Sequence, residues 1–141
     1  MSKKDKASIL ILDQKANRRD TLASRFRLQG YVVEIASSPF QALSMLETDL
    51  FDTFLIIGQT YEMPTFEVIS LSRNLFDKKE LQIIYSDPRP KEEDILTYSK
   101  LGMSHFLVWS DKIFAPLLNK IEEFKPPANR KPGSLLKDFS K

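Results

Sequence analysis

Thr53-Phe54-Leu55-Ile56-Ile57 is an unbroken β-branched and aromatic run, preceded by Asp52 and followed by Gly58. An apolar run with no alternation suits a strand covered on both faces, as in the interior of a parallel sheet. In open sheets of that kind, ligands sit outside the carboxyl ends of the strands. The residue at that end therefore sets the chemistry a site there can do. Here it is Ile57 followed by Gly58. Neither carries a nucleophile, a transferable proton or a charge.

The rest of the chain supplies partners for that strand. Ala7 to Leu12 is a short apolar strand stopped by Asp13-Gln14. A helix follows, with Leu22 and Phe26 at helical spacing, Arg18, Arg19, Arg25 and Arg27 mostly outward, and Gly30 placed to end it. Tyr31 to Ala36 reads as a second strand. Ser38 offers an N-cap with Pro39 at the first helical position, and Phe40, Leu43 and Leu46 form that helix's apolar stripe. After the loop from Gly58 to Met63, Pro64 opens a third helix containing Val68, Ile69, Leu71 and Leu75. Leu81 to Tyr85 is a fourth strand, Ser86 to Pro90 a loop, and Lys91 to Leu101 a helix closed by Gly102. His105 to Trp109 is a fifth strand. Ser110-Asp111 can cap a last helix built on Phe114, Leu117, Leu118, Ile121 and Phe124.

Five strands alternating with five helices through short connections, with right-handed crossovers, give a doubly wound α/β fold. The expected architecture is a flavodoxin-like five-stranded parallel sheet of order 2-1-3-4-5 with helices on both faces. The expected organisation is an N-terminal extension over residues 1–6, a domain over 7–124, and a Pro-rich basic tail over 125–141. A chain of 141 residues suits one such domain. The tail holds Lys125, Arg130, Lys131, Lys137 and Lys141 against Asp138, so it carries the surplus behind the net charge of +2. Its first half, Lys125 to Gly133, reads as a linker, and Ser134 to Ser140 as a short end able to dock as a peptide. Charge of this kind is usually a solvated segment.

Several chemistries are excluded outright. There is no cysteine and one histidine, His105, so thiolate catalysis, disulfides and multi-histidine metal centres are out. His105, at the start of the fifth strand without a clear partner, reads as structural. Gly30, Gly58 and Gly102 stand at turns, outside any dinucleotide or P-loop spacing. No apolar stretch is long enough to span a bilayer and the N-terminus lacks a signal-peptide core, so a cytoplasmic address is expected and membrane insertion is not.

The layout over residues 7–124 resembles the receiver domain of bacterial response regulators. Leu12-Asp13 carries the resemblance, together with Met63-Pro64-Thr65-Phe66-Glu67, similar to the family's Met-Asp-Gly-x-Glu, and Leu101-Gly102-Met103, similar to its Ala-Gly-Ala. A working receiver moves a phosphoryl group from a histidine kinase onto its own aspartate. An acidic pair and the acceptor hold Mg²⁺, since a hard cation wants oxygen ligands. A hydroxyl contacts the phosphoryl oxygens and a lysine pairs with the charge.

Transferred position by position, the resemblance implies a degenerate phosphorylation site. Asp13 remains of the acidic pair, with Gln14 beside it. The acceptor falls on Ile57, or on Gly58 if the strand is shifted by one. The hydroxyl position falls on Asp87, with Ser86 just before it, and the lysine position on Trp109. Ile57 and Trp109 are expected to pack on each other and plug that end of the sheet with apolar surface. Asp13 reads as a carboxylate ending its turn, or as a vestigial ligand needing Asp87. Asp87 reads as a turn starter, and Trp109 as a packing residue or a partner anchor.

The expected function is a non-phosphorylatable pseudo-receiver, not an enzyme, acting as a protein–protein adaptor in bacterial two-component signalling or localisation. No cofactor and no metal is expected. A partner patch is expected at Lys91, Ile95 and Phe106, on the helix four–strand five–helix five face through which receivers also form homodimers. The alternative is a small-ligand or cation sensor using Asp13, Asp87 and the loop from Gly58 to Met63. Nucleic acid is not an expected partner, since only the tail's charge points to it.

Overall fold

The computed structural model describes residues 6–132. Ten elements alternate along the chain: β1 (Ser8–Leu12), α1 (Ala16–Leu28), β2 (Val32–Ala36), α2 (Pro39–Thr48), β3 (Thr53–Ile57), α3 (Thr65–Leu75), β4 (Gln82–Asp87), α4 (Glu92–Leu101), β5 (His105–Val108) and α5 (Phe114–Glu123). All strand pairs are parallel and the order is β2-β1-β3-β4-β5. β3 lies at the centre and every residue in it is buried, as its composition requires.

Successive strand residues point to opposite faces and feed two cores. Leu10, Leu12, Phe54, Ile56, Ile83 and Tyr85 pack with side chains from α2, α3 and α4. Ile9, Ile11, Leu55, Ile57 and Ile84 pack with Leu22 and Phe26 of α1 and Leu117 and Ile121 of α5. Each large apolar side chain buried this way contributes about 1.5–3 kcal/mol relative to exposure.

Local signals set several element ends. Ser38 Oγ accepts the N–H of Gln41 at 3.1 Å, with Pro39 at the first helical position. α1 closes through paired bonds, Gly30 N–H to Arg27 O and Tyr31 N–H to Phe26 O, which need the left-handed φ of 96° at Gly30.

Other expectations fail for identifiable reasons. β4 runs on through Ser86 and Asp87, because Trp109 N–H bonds Asp87 O and Gly58 N–H bonds Ser86 O, extending the pairing on both sides. Ser110 does not cap α5. Its hydroxyl accepts the Lys112 N–H in the turn before, and Ile113 occupies the cap position. Phe40 does not join the α2 stripe and is 57% exposed. The basic segment after α5 is not a free linker as far as Arg130. That guanidinium donates to Phe51 O at 2.6 Å and Glu80 O at 2.9 Å and pairs with Asp52, under the amino ends of the strands. Ser134 to Ser140 lie outside the described residues.

Candidate functional site at the carboxyl edge of the sheet

β1, β3 and β4 bring the candidate residues together at one edge. Asp13 follows β1, Ile57 ends β3, and Ser86 and Asp87 end β4, with Trp109 just after β5. A cavity of about 250 Å³ opens there, lined by Asp13, Gln14, Arg18, Gly58, Asp87 and Arg89 among others. Ile57, Tyr61 and Pro88 share its walls with these polar groups.

Asp13 is 1% exposed and both of its oxygens are committed. Oδ1 accepts the Lys15 N–H at 2.9 Å, which makes the turn into α1. Arg18 binds it with two prongs, Nε to Oδ2 at 2.6 Å and Nη2 to Oδ1 at 2.8 Å. The guanidinium carbon sits 5.4 Å from the centre of the Trp109 ring. Gly58, with φ of 77°, leaves room for it: a Cβ there would come within 3.2 Å of Arg18 Nη2. The hydrogen bonds that Arg18 donates to Asp13 raise its pKa, burial opposes them, and the charges of Asp13 and Asp87 add to the rise.

The expected apolar packing of Ile57 and Trp109 accounts for only part of this edge. Ile57 is buried, but on the α1–α5 face of the sheet, where Trp109 packs against the same cluster only partly covered. Between the loops, the Arg18–Asp13 pair lines the cavity beside Ile57. Arg18 and Arg19 were expected to face mostly outward with the other arginines of α1, yet their side chains are only 18% and 13% exposed. For Arg18 the spacing held the signal. Arg18, Leu22 and Phe26 are four apart, so they share one helix face, and that face is the buried one. A carboxylate ending a strand at the start of that face calls for a cation.

Asp87 does start a turn: Oδ1 accepts the Arg89 N–H at 2.9 Å. It also anchors a polar network that the sequence reading missed. Tyr85 Oη donates to Asp87 Oδ2 at 2.6 Å and accepts from Gln59 Nε2 at 2.9 Å. Tyr98 Oη and Thr65 Oγ1 donate to Gln59 Oε1, at 3.2 and 3.3 Å. Burial, then the bond to Asp87, pushes the Tyr85 phenol well above the usual tyrosine range. Burial likewise raises Tyr98. Gln14 Oε1 accepts the Tyr61 N–H at 2.6 Å, latching the β1–α1 turn to the β3–α3 loop. Ser86 Oγ is buried with no hydrogen-bond partner among the described residues.

The expected partner patch divides. Lys91 is exposed at the start of α4, as expected. Ile95 is not outward: it is half-buried against the core, and its neighbour Leu96 is the exposed one, at 59%. Phe106 is half-buried too, its ring stacked on Tyr85 with centroids 6.0 Å apart.

No family model matches the chain, and no curated protein matches it. Solved structures do match its fold. A CheY-like response regulator receiver domain protein from Methanospirillum hungatei is 22% identical with a TM-score of 0.76, over 83% of this chain and 91% of that one. The response regulator TrrA from Thermotoga maritima, solved in complex with Mg²⁺ and BeF, is 22% identical with a TM-score of 0.72, over 84% and 99%. The receiver domain of the sensor histidine kinase PA1611 from Pseudomonas aeruginosa, with a magnesium ion coordinated in its active-site cleft, is 18% identical with a TM-score of 0.73, over 84% and 96%. The residues of the present chain do not fit such an ion. The carboxylate nearest the expected position is already bonded on both oxygens, and no group of three or more His, Cys, Asp or Glu able to hold a metal occurs among the described residues.

Proposed function

We propose that this chain is a receiver-like interaction module that takes up no phosphoryl group and acts as an adaptor in two-component signalling or localisation. The observation that carries this reading is Ile57. It ends the central strand, 2% exposed, at the position where the resemblance places the acceptor carboxylate, and Gly58 beside it offers no side chain at all. Aspartyl phosphorylation needs an oxygen nucleophile there.

An adaptor must then work through its surface. Lys91, Glu92, Glu93 and Leu96 line a shallow depression at the start of α4. Val108, at the end of β5, is also exposed. A large exposed apolar residue rimmed by charge suits a protein contact better than a small-ligand site. Phe106 lies behind this region, its ring on Tyr85, so partner binding there would be felt by the Tyr85–Gln59–Tyr98 network.

The test has two arms. Incubation with acetyl phosphate and Mg²⁺ should leave the intact mass unchanged; a stable gain of one phosphoryl group overturns the reading. A pull-down from the native host should recover the same partner in both states of the phosphodonor treatment, and Leu96→Glu should release it. Recovery that depends on the phosphodonor would refute phosphorylation independence.

A further inference from the structure

Arg18 has partners on several sides of the crevice. Asp13 grips it with both oxygens, at 2.6 and 2.8 Å. The Trp109 ring lies 5.4 Å from its guanidinium carbon, close enough for cation–π attraction. Gly58 leaves it the space that any other side chain would fill. The charge of Asp87 reaches it from the end of β4. A divalent ion at this edge would need Asp13 as an oxygen ligand. Its approach would set it against a guanidinium already bonded to that carboxylate.

We infer that Arg18 is the resident cation of the crevice and stands in place of a divalent ion. It balances the buried charge of Asp13 and ties the β1–α1 turn toward the β3–α3 and β4–α4 loops. Because it is part of the chain, its local concentration does not vary with the ionic composition around the protein. The crevice keeps one charge and one shape whether or not Mg²⁺ is present. The Pseudomonas receiver domain was solved with a magnesium ion coordinated in its active-site cleft; the crevice of this chain carries its own cation. This inference stands apart from the adaptor reading: it concerns the ion, whereas that reading concerns the phosphoryl group and the partner.

The test uses the full chain and Mn²⁺ as the probe, read by paramagnetic broadening of backbone amide resonances. In the wild type, the amides of Gln14, Gly58 and Asp87 should show no saturable broadening. Arg18→Met keeps an unbranched apolar stem beside Trp109 and removes the charge. It should gain saturable broadening at those amides, because Asp13 and Asp87 are then left without the guanidinium. Arg18→Lys should stay silent, and Arg18→Met/Asp13→Asn should lose the gained binding. Saturable binding by the wild type or by Arg18→Lys overturns the inference. So does a folded Arg18→Met that stays silent, or binding that survives the second substitution. If Arg18→Met does not fold in ion-free buffer, its melting is followed with and without Mg²⁺. Rescue by the ion supports the inference and the absence of rescue overturns it. None of these readouts depends on a partner or a phosphodonor.

Discussion

The two ends of the sheet carry the same chemical device, an arginine on an aspartate. At the carboxyl edge Arg18 binds Asp13, five residues earlier in the chain. At the amino edge Arg130 binds Asp52, 78 residues earlier, and also takes the carbonyls of Phe51 and Glu80. The first pair is local and forms once α1 docks. The second must close a long loop before it contributes anything, and the entropy of that closure opposes it. Burial differs as well. Asp13 is 1% exposed, while Asp52 is 16% exposed and also accepts the N–H of Ser8. An unpaired carboxylate is costlier where water cannot reach it. Loss of the carboxyl-edge pair therefore strands a buried charge, whereas the amino-edge pair fastens a chain segment to a finished domain.

Substitutions can break this contrast. The largest effect is expected for Arg18→Ala, about 3 kcal/mol of lost stability in urea unfolding, since it strands a buried carboxylate. The Arg18→Ala/Asp13→Ala double variant should be less destabilised than the sum of the singles, with a coupling above about 1 kcal/mol. Additive losses would mean the two side chains do not act as a pair. Arg130→Ala should cost less, about 1–2 kcal/mol, through its two carbonyl bonds and a pair nearer to water. A loss equal to that of Arg18→Ala would erase the difference between the edges.

Trypsin sharpens the amino-edge half. Lys125 and Lys131 each precede a proline, so within residues 125–132 the bond after Arg130 is the one trypsin can readily cut. Cleavage there should be slow in the wild type and several-fold faster in Asp52→Ala. Equal rates would show that the ion pair does not hold the tail.

A smaller effect belongs to the network beside the crevice. Tyr85→Phe removes one bond to Asp87 and one to Gln59, and should cost about 1 kcal/mol at neutral pH. The pH dependence has a definite sign. The phenol's pKa is raised in the folded state, chiefly by burial. Its contribution is then complete below the unfolded value of about 10 and is lost as pH rises beyond it. Urea unfolding between neutral and strongly alkaline pH should show a steeper alkaline loss in the wild type than in Tyr85→Phe. Parallel curves would place the phenol in water.

Much of this was readable in the residues. The non-alternating run from Thr53 to Ile57 announced a central strand. Ser38-Pro39 and Gly30 marked helix ends through hydrogen bonds that involve only near neighbours. Asp13's role in its own turn was legible for the same reason. What was misread involved choices between partners. Ile95 and Leu96 are adjacent and both apolar, and only the way α4 seats on the sheet turns one inward and the other to water. Ser110 looked like a cap but was taken by a tighter turn.

By itself, then, the sequence determined the element order, the sheet's central strand and the apolar residue, Ile57, that ends it. Those follow from periodicity, local capping and side-chain chemistry, which need no knowledge of distant contacts. The tertiary structure decided that a buried ion pair lines the crevice beside Ile57, and that the segment after α5 is pinned through Arg130. A guanidinium on a long stem can serve solvent or a carboxylate equally well. Only the packed positions of Gly58, Trp109 and Asp13 settle where Arg18 goes, and only the assembled amino edge of the sheet offers Arg130 its carbonyls.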